Sequence, residues 1–504
     1  MPMKTINAPL YLLGLSVILS GPLARAQVAA PAASDQAAPS AAPPASPPSP
    51  PPESASDRSA ELTPPVLLPS RVEAAANPVN PWFVRPSYDI TNGQGKSQWK
   101  LTAYGFAEFD FMYDTTRSFA DGMNSNVAAH SGTQAGDNAR FQTTIRNTRI
   151  GFKMNAPELA GIKPSGVIEG DFFGYDPSPP TTSEAGFFNN PTFRIRHAYV
   201  KLESDVVNVL GGQMYHLLGW QNYFFPTSLA FLGLPNQLFN RTQQLRISHS
   251  FKSDDVNVDV AVAGLRPVQR DSAVPDGEAG ILMAVNHWKG ISTPGNGGTA
   301  AFPAALGVSG LIRRFSVDQF AVKPSGVSTD TGWAVAANAL IPIIPAVDNT
   351  DRTNALTLIG EATVGSGYAE QFTGMSAGAS FPALPGGAAF APDIDNGLVT
   401  YDTSGILHTI NWRSFVVDLQ YYLPPSGRML LALNYTQSES TNMADLFAKS
   451  ATAFKESQYF DGNVFFDVTP SVRVGAGYQF LMQTFVDNST AHNHRLEGLM
   501  LYFF

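Results

Sequence analysis

From Trp99 to Phe504 the chain keeps one texture. Short runs alternate apolar and polar residues with period two, and Gly-, Asn-, Asp-, Ser- and Thr-rich segments separate them. Period two is the strand period, because successive side chains leave a strand on opposite faces. In the opening run Leu101, Ala103, Ala107, Phe109, Phe111 and Tyr113 share one face. Lys100, Thr102, Tyr104, Glu108, Asp110 and Asp114 share the other. Such a strand suits lipid on one side and water on the other, or one wall of a soluble sandwich.

Later runs repeat the pattern. Val167, Glu169 and Asp171 alternate with Ile168, Gly170 and Phe172, while Ile150, Phe152 and Met154 stand opposite Lys153. Arg194 and Arg196 stand opposite Phe193, Ile195 and Tyr199, and Val256, Val258 and Val260 enclose Asn257 and Asp259. Aromatic doublets near run ends (Phe172-Phe173, Phe224-Phe225, Tyr421-Tyr422, Phe465-Phe466, Phe503-Phe504) fit interfacial girdles. The count comes to 16 to 18 strands, and a bacterial barrel needs an even number. The expected fold is therefore an all-β transmembrane antiparallel β-barrel over residues 99–504, with 16 strands or else 18.

The last strand carries its own signal. Phe504, Tyr502, Met500, Gly498 and Leu496 share a face and end on an aromatic, which reads as an assembly signal for outer-membrane barrel machinery. Leu499, Leu501 and Phe503 are apolar on the opposite face, against the expectation of a polar lumen.

The N-terminal stretch has a different role. Lys4, an apolar run from Leu10 to Leu23 and Ala24-Arg25-Ala26 read as a signal peptide over residues 1–26. Residues 27–98 read as a Pro/Ala/Ser-rich periplasmic tether and transition segment, semi-rigid because proline cannot join a helix or ladder. Its end, with Trp82 and Phe83, would plug, line or lie beside the barrel mouth. The tether suits contact with peptidoglycan. No second apolar run is long enough for a helical span. The address is thus the outer membrane of a Gram-negative bacterium, with outer-membrane lipid as surroundings.

Composition narrows the function. Charged residues are 14%, aromatics 11%, cysteines none and net charge −9. Nothing there suits nucleic acid, and thiolate metal sites are impossible. No nucleophile elbow, phosphate loop or zinc-binding helix occurs. The expectation is no enzyme, no cofactor and no metal, with a barrel hydrolase using Ser248-His249-Ser250 and Asp461 as the rival, and an envelope-anchoring barrel as another. His492 and His494 read as loop residues, or as a weak metal pair on one strand face if the last strand begins early.

Arginines in the first half of the barrel (Arg140, Arg146, Arg149, Arg194, Arg196, Arg241 and Arg246) are expected on the lumen side, since charge facing lipid at mid-membrane costs about 2–4 kcal/mol. Glu108, Asp110, Glu169 and Asp171 share inward faces. Either a basic ladder faces an acidic patch across a narrow eyelet, or the two signs pair along the wall. A basic lining favours anions. Leu217 to Arg241, between the fifth and sixth strands, contains Trp220, Tyr223, Phe224, Phe225 and Phe231. A segment so apolar is a poor exposed loop, so it folds inward to constrict the pore or latches a neighbouring subunit.

Ordered local features carry a family resemblance: Leu-Thr-Ala-Tyr-Gly-Phe-Ala-Glu-Phe-Asp at 101–110, Arg149-Ile150-Gly151-Phe152 and Arg194-Ile195-Arg196-His197-Ala198-Tyr199-Val200. Gly211-Gly212-Gln213, Phe225-Pro226, Phe231-Leu232-Gly233 and Arg241-Thr242-Gln243-Gln244-Leu245-Arg246 follow. Over Trp99 to Phe504 the chain resembles the DcaP-like family of trimeric outer-membrane porins. The resemblance implies a 16-stranded homotrimeric channel with an inward third loop and a basic pore for small anionic or polar solutes such as dicarboxylates. Family members carry a periplasmic coiled coil where this chain is proline-rich, so that feature does not transfer.

Overall fold

The computed structural model describes residues 87–504, except 124–126, 175–191, 231, 296 and 348–350. The signal-peptide and tether readings over residues 1–86 lie outside the described residues, as does Phe231.

The strands run in order as β1 (Tyr88–Asn92), β2 (Trp99–Asp114), β3 (Arg140–Thr144), β4 (Arg149–Asn155), β5 (Lys163–Asp171), β6 (Arg194–Glu203), β7 (Asn208–Tyr215), β8 (Arg241–Lys252), β9 (Val256–Leu265) and β10 (Asp276–Ser292). They continue as β11 (Ala300–Asp318), β12 (Val327–Ile344), β13 (Leu356–Ser366), β14 (Val399–Tyr401), β15 (Leu407–Thr409), β16 (Asn411–Leu423), β17 (Met429–Ser440), β18 (Phe454–Thr469), β19 (Val472–Phe485) and β20 (Thr490–Phe503). Each wall strand pairs antiparallel with the next. β3 and β4 both pair with β2 and make one interrupted stave. The last strand closes on the first, from Phe106↔Phe503 to Asp114↔Arg495. The result is a 16-stranded antiparallel barrel. β14 and β15 form a separate hairpin in the connection between β13 and β16.

β1 lies beside the barrel mouth. It pairs with the foot of β2, Tyr88↔Ala103 to Asn92↔Trp99, on the edge that β20 does not reach. Gly105 N donates to Phe504 O at 2.9 Å and Phe504 N to Gly105 O at 3.1 Å, so the C-terminus itself is part of the seam.

Exposure follows the strand period. Phe109, Phe111, Ile150, Phe152, Ile168, Ile281, Val308, Val335 and Val364 are exposed on the outside. This continuous apolar belt places the barrel in an outer membrane, with lipid against its outer wall. A bulge between Glu169 and Gly170 in the β5–β6 pairing resets the phase of β6. Arg194 and Arg196 face inward as the alternation predicts, but Tyr199 is buried inward with Val167, not outward.

The connections divide by rim. One rim has short turns such as 204–207, 253–255 and 470–471, and the other has the long connections 115–139, 216–240 and 367–410. The long ones enter the barrel. Phe119 and Met123 from the first, Leu218, Leu234 and Leu238 from the third, and Tyr368, Phe372 and Leu398 from the sixth pack on Leu311, Phe315, Trp412, Tyr459 and Leu481 of the wall. Much of the interior is therefore an apolar core. This explains inward Leu499, Leu501 and Phe503, which pack with Leu229 of the third connection and Tyr422, Leu430 and Phe465 of the wall. It also corrects the girdle reading of the doublets: Tyr422 and Phe465 are buried inside, and Phe224-Phe225 belong to the buried third connection. His492 and His494 are in β20, not a loop.

A charge on the outer belt tests the orientation. Val335→Arg, at mid-strand between Gly310 and Val364, is expected to destabilise the inserted barrel by about 2–4 kcal/mol in urea titrations in lipid vesicles.

Candidate functional site

The third connection crosses the barrel as the sequence suggests. Residues 216–229 and 234–238 are buried. Glu278 of β10 receives the N–H of Leu217 at 2.7 Å, and Ser309 of β11 receives that of Gly219, also at 2.7 Å. Trp220 Nε1 donates to Ile281 O at 3.1 Å, and Tyr223 OH to Pro303 O at 2.8 Å. Further along, Ser228 Oγ reaches Asp461 Oδ2 at 2.5 Å, Asn236 Nδ2 reaches Thr436 Oγ1 at 3.1 Å, and Leu238 N reaches Glu361 Oε1 at 2.9 Å. A segment with this many free backbone donors stays inside only because the wall supplies acceptors. Trp220, Tyr223 and Phe224 pack on Leu282, Ala284, Phe302 and Leu340, and Phe225 packs on Tyr215 and Phe239.

Most of the predicted arginines gather on the inner side of β4–β8, with Arg140 on β3 and Arg146 just before β4. Arg196 is held between Glu169 Oε1 at 2.8 Å and Asp171 Oδ2 at 3.1 Å, and donates to Tyr215 OH at 2.8 Å. Arg194 grips Asp171 through both arms, at 2.9 and 2.7 Å. Arg149 lies 3.6 Å from Glu169 and over the Phe106 ring. Arg146, in the gap between β3 and β4, pairs with Asp121 at 3.2 Å and lies over Phe173. Arg241 donates to Tyr215 OH at 3.3 Å and lies over the Tyr215 and Phe239 rings, with no carboxylate among its described ion-pair partners. Arg246 is buried and bonds Gln244 Oε1 and Tyr215 O. Arg140 donates to Phe119 O of the first connection.

Glu169 and Asp171 therefore sit among the arginines. The signs are paired along one wall and do not face each other across a gap. Three guanidiniums (Arg149, Arg194, Arg196) share two carboxylates and Arg241 stands beside them, so the patch stays basic. Its members differ in access: side-chain exposure is 31% for Arg194, 24% for Arg146 and 21% for Arg149, against 2% for Arg196. The first three have surface to offer a solute, while Arg196 is a buried tie.

Glu108 and Asp110 face inward on β2, apart from this pairing. Asn147 Nδ2 donates to Glu108 Oε2 at 2.8 Å, and Asp110 is fully buried. The residues of the hydrolase alternative do not converge. His249 packs on Phe251, Ser250 bonds Asp259, and Asp461 bonds Ser228, Asn434, Tyr459 and Asn463. No group of three metal-ligating side chains occurs among the described residues.

Sequence reading missed Tyr215 and Asp121. Tyr215 takes both Arg196 and Arg241; alternation from buried Leu210 and exposed Gly211 would put it outward, and its burial at the end of β7 against Phe225 and Phe239 departs from that pattern. Asp121 lies in a long connection, where no periodicity signals it.

A closed 16-stranded barrel with an apolar outer belt and an inward third connection has the fold of the outer-membrane porins. No protein-family model and no curated protein matches the chain. Among solved structures it is similar to the outer membrane channel DcaP of Acinetobacter baumannii at 17% identity, covering 82% of this chain and 100% of that one, with a TM-score of 0.58. It is also similar to Salmonella typhi OmpF (14% identity, 83% and 100% covered, TM-score 0.46) and to an anion-selective porin from Comamonas acidovorans (11%, 81% and 100%, 0.44).

Arg196→Ala removes the buried tie between Glu169 and Asp171, which keep Arg149 and Arg194 as partners, and is expected to cost about 3 kcal/mol in vesicle unfolding. Arg413→Ala, which breaks an exposed pair with Glu439, should cost under about 1 kcal/mol.

Proposed function

We propose that the chain forms an aqueous diffusion channel for small hydrophilic solutes across the outer membrane, and that it favours anions, dicarboxylates among them. The reaction is passage, with no catalytic step. The observation that carries this reading is an asymmetry of access inside the barrel. Inward polar residues of β16–β20 such as Asp418, Asn434, Asp461, Gln479 and Asn493 are buried by the connections. On β4–β6 the inward Arg149, Lys153, Arg194 and Lys201 keep partial exposure. The third connection packs mostly on the later strands, touches the basic wall through Phe225 on Tyr215, and leaves Arg194, Arg146 and Arg149 partly open beside it. Trp220, Tyr223, Phe224 and Phe225 thus act as a constriction that crowds solutes against Arg194, Arg146 and Arg241. Exposed guanidiniums suit carboxylates, which accept two parallel N–H bonds from one such group. The similarity to a channel of 17% identity supports the fold of this reading. Trimer formation through the outer walls, and Phe504 with Tyr502 as the assembly signal, belong to the same proposal.

The test is reversal potential in planar bilayers under a salt gradient. The purified protein is expected to favour anions. Arg194→Glu with Arg241→Glu is expected to move the reversal potential toward the cation side. Clear cation selectivity of the unsubstituted protein would overturn the anion reading.

A further inference from the structure

The turn that follows β10 differs from its neighbours on the same rim. Turns 204–207 and 253–255 are exposed or half-buried, whereas Ser292, Thr293 and Thr299 are buried. The cause begins in β10 itself. Its pairing with β11 slips between Val285 and Lys289, so the last residues leave the line of the wall. Gly290 then lies so close to β12 and β13 that a Cβ there would sit 2.6 Å from Thr357 Oγ1 and 3.2 Å from Pro342. Thr357 Oγ1 donates to Ile291 O at 2.8 Å, and Ile291 is fully buried.

From there the turn reaches across the interior. Thr293 N donates to Gln420 Oε1 at 3.0 Å on β16, and its hydroxyl contacts Tyr422 OH at 2.6 Å. Arg473 of β19 donates to Thr299 Oγ1 at 3.3 Å and Gly297 O at 3.4 Å. Asp467 of β18 fixes Arg473 at 2.8 Å and takes Arg352 as well, also at 2.8 Å. The same turn meets the third connection, which enters from the opposite rim. Gly295 N donates to Pro226 O at 2.9 Å, and Thr227 Oγ1 donates to Thr293 O.

We propose that the turn after β10 and the Pro226–Thr227 tip of the third connection form a clasp that sets the position of the constriction, with Arg473 as its positioning residue on the short-turn rim. This rests on the channel reading above. The later strands hold the backbone of the tip from one side, with Thr227 N donating to Asp418 Oδ2 at 3.2 Å and Asn434 Nδ2 donating to Thr227 O at 2.8 Å, and the turn adds a hold from the short-turn rim. Two hydrogen bonds from the opposite side tie down its far end, and the Arg473–Asp467–Arg352 network ties down the turn. Arg473 makes no described contact with the third connection, so any effect of altering it on that loop must pass through the turn.

Thr227→Val removes the hydroxyl donor at nearly constant volume. Arg473→Lys keeps the charge and loses the fork that spans Asp467, Gly297 and Thr299. In single-channel recordings each is expected to raise the frequency of brief closures about threefold to tenfold, the factor one buried hydrogen bond is worth. The double variant should exceed neither single by more than a small margin, because both open one clasp. Channels that conduct like the unsubstituted protein in Arg473→Lys, or effects that simply multiply, would overturn the clasp. Amide exchange across residues 217–227 tests it without conduction. Several-fold faster exchange in Arg473→Lys supports the clasp, and unchanged exchange overturns it. Failure of the unsubstituted protein to conduct would instead count against the channel reading and leave the exchange result to decide the clasp. Heat-modifiable migration in detergent gels identifies any variant that does not fold.

Discussion

A strand in hydrocarbon must satisfy every backbone N–H and C=O within the protein, and only closure does this for a sheet. The β2–β20 seam is where this chain meets that demand, with Phe504 bonded in both directions to Gly105. Closure leaves no free edge in the membrane. It also fixes two faces for the whole chain, one for lipid and one for the interior. β1 covers the foot of β2 below the point where the last strand stops, which continues the same economy of hydrogen bonds.

Once closed, a 16-stranded wall encloses more space than its inward side chains fill. The first, third and sixth connections occupy part of it, and they do so asymmetrically. They pack mostly on the later strands, where apolar side chains alternate with buried polar ones that receive the loops' N–H groups, and touch the early ones at Asp121–Arg146 and Phe225–Tyr215. The early strands keep Arg149, Lys153, Arg194 and Lys201 partly open. Buried ionic groups persist there because each is tied: Arg196 by two carboxylates and a phenol, Asp171 by two arginines. Arginine excess, loop position and the clasp beneath the loop all follow from this one-sided filling.

Legibility in the sequence tracked the reach of the interaction. Phe109, Phe111, Glu108 and Asp110 could be assigned to faces because alternation is a local consequence of backbone geometry. The inward third connection was legible because Trp220 to Phe225 are too apolar for an exposed loop. Tyr199 was misplaced because a single bulge shifts phase, and a bulge has no signature in residue type at that point. The apolar inner face of β20 suited a place near the periplasmic rim or a subunit contact, and its partner is Leu229, some 270 residues earlier in the chain. Asp121 as the partner of Arg146 and Tyr215 as the hub of two arginines depend on contacts between distant segments.

The sequence by itself determined the barrel, the phase of its regular strands, its even count and the side on which charge must lie, because these follow from period two and the cost of charge in lipid. Only the tertiary structure decided which charges pair, how much of the interior is filled, and that a turn from one rim grips a loop from the other. Those are meetings of segments far apart in the chain, and no local pattern encodes the distance between them.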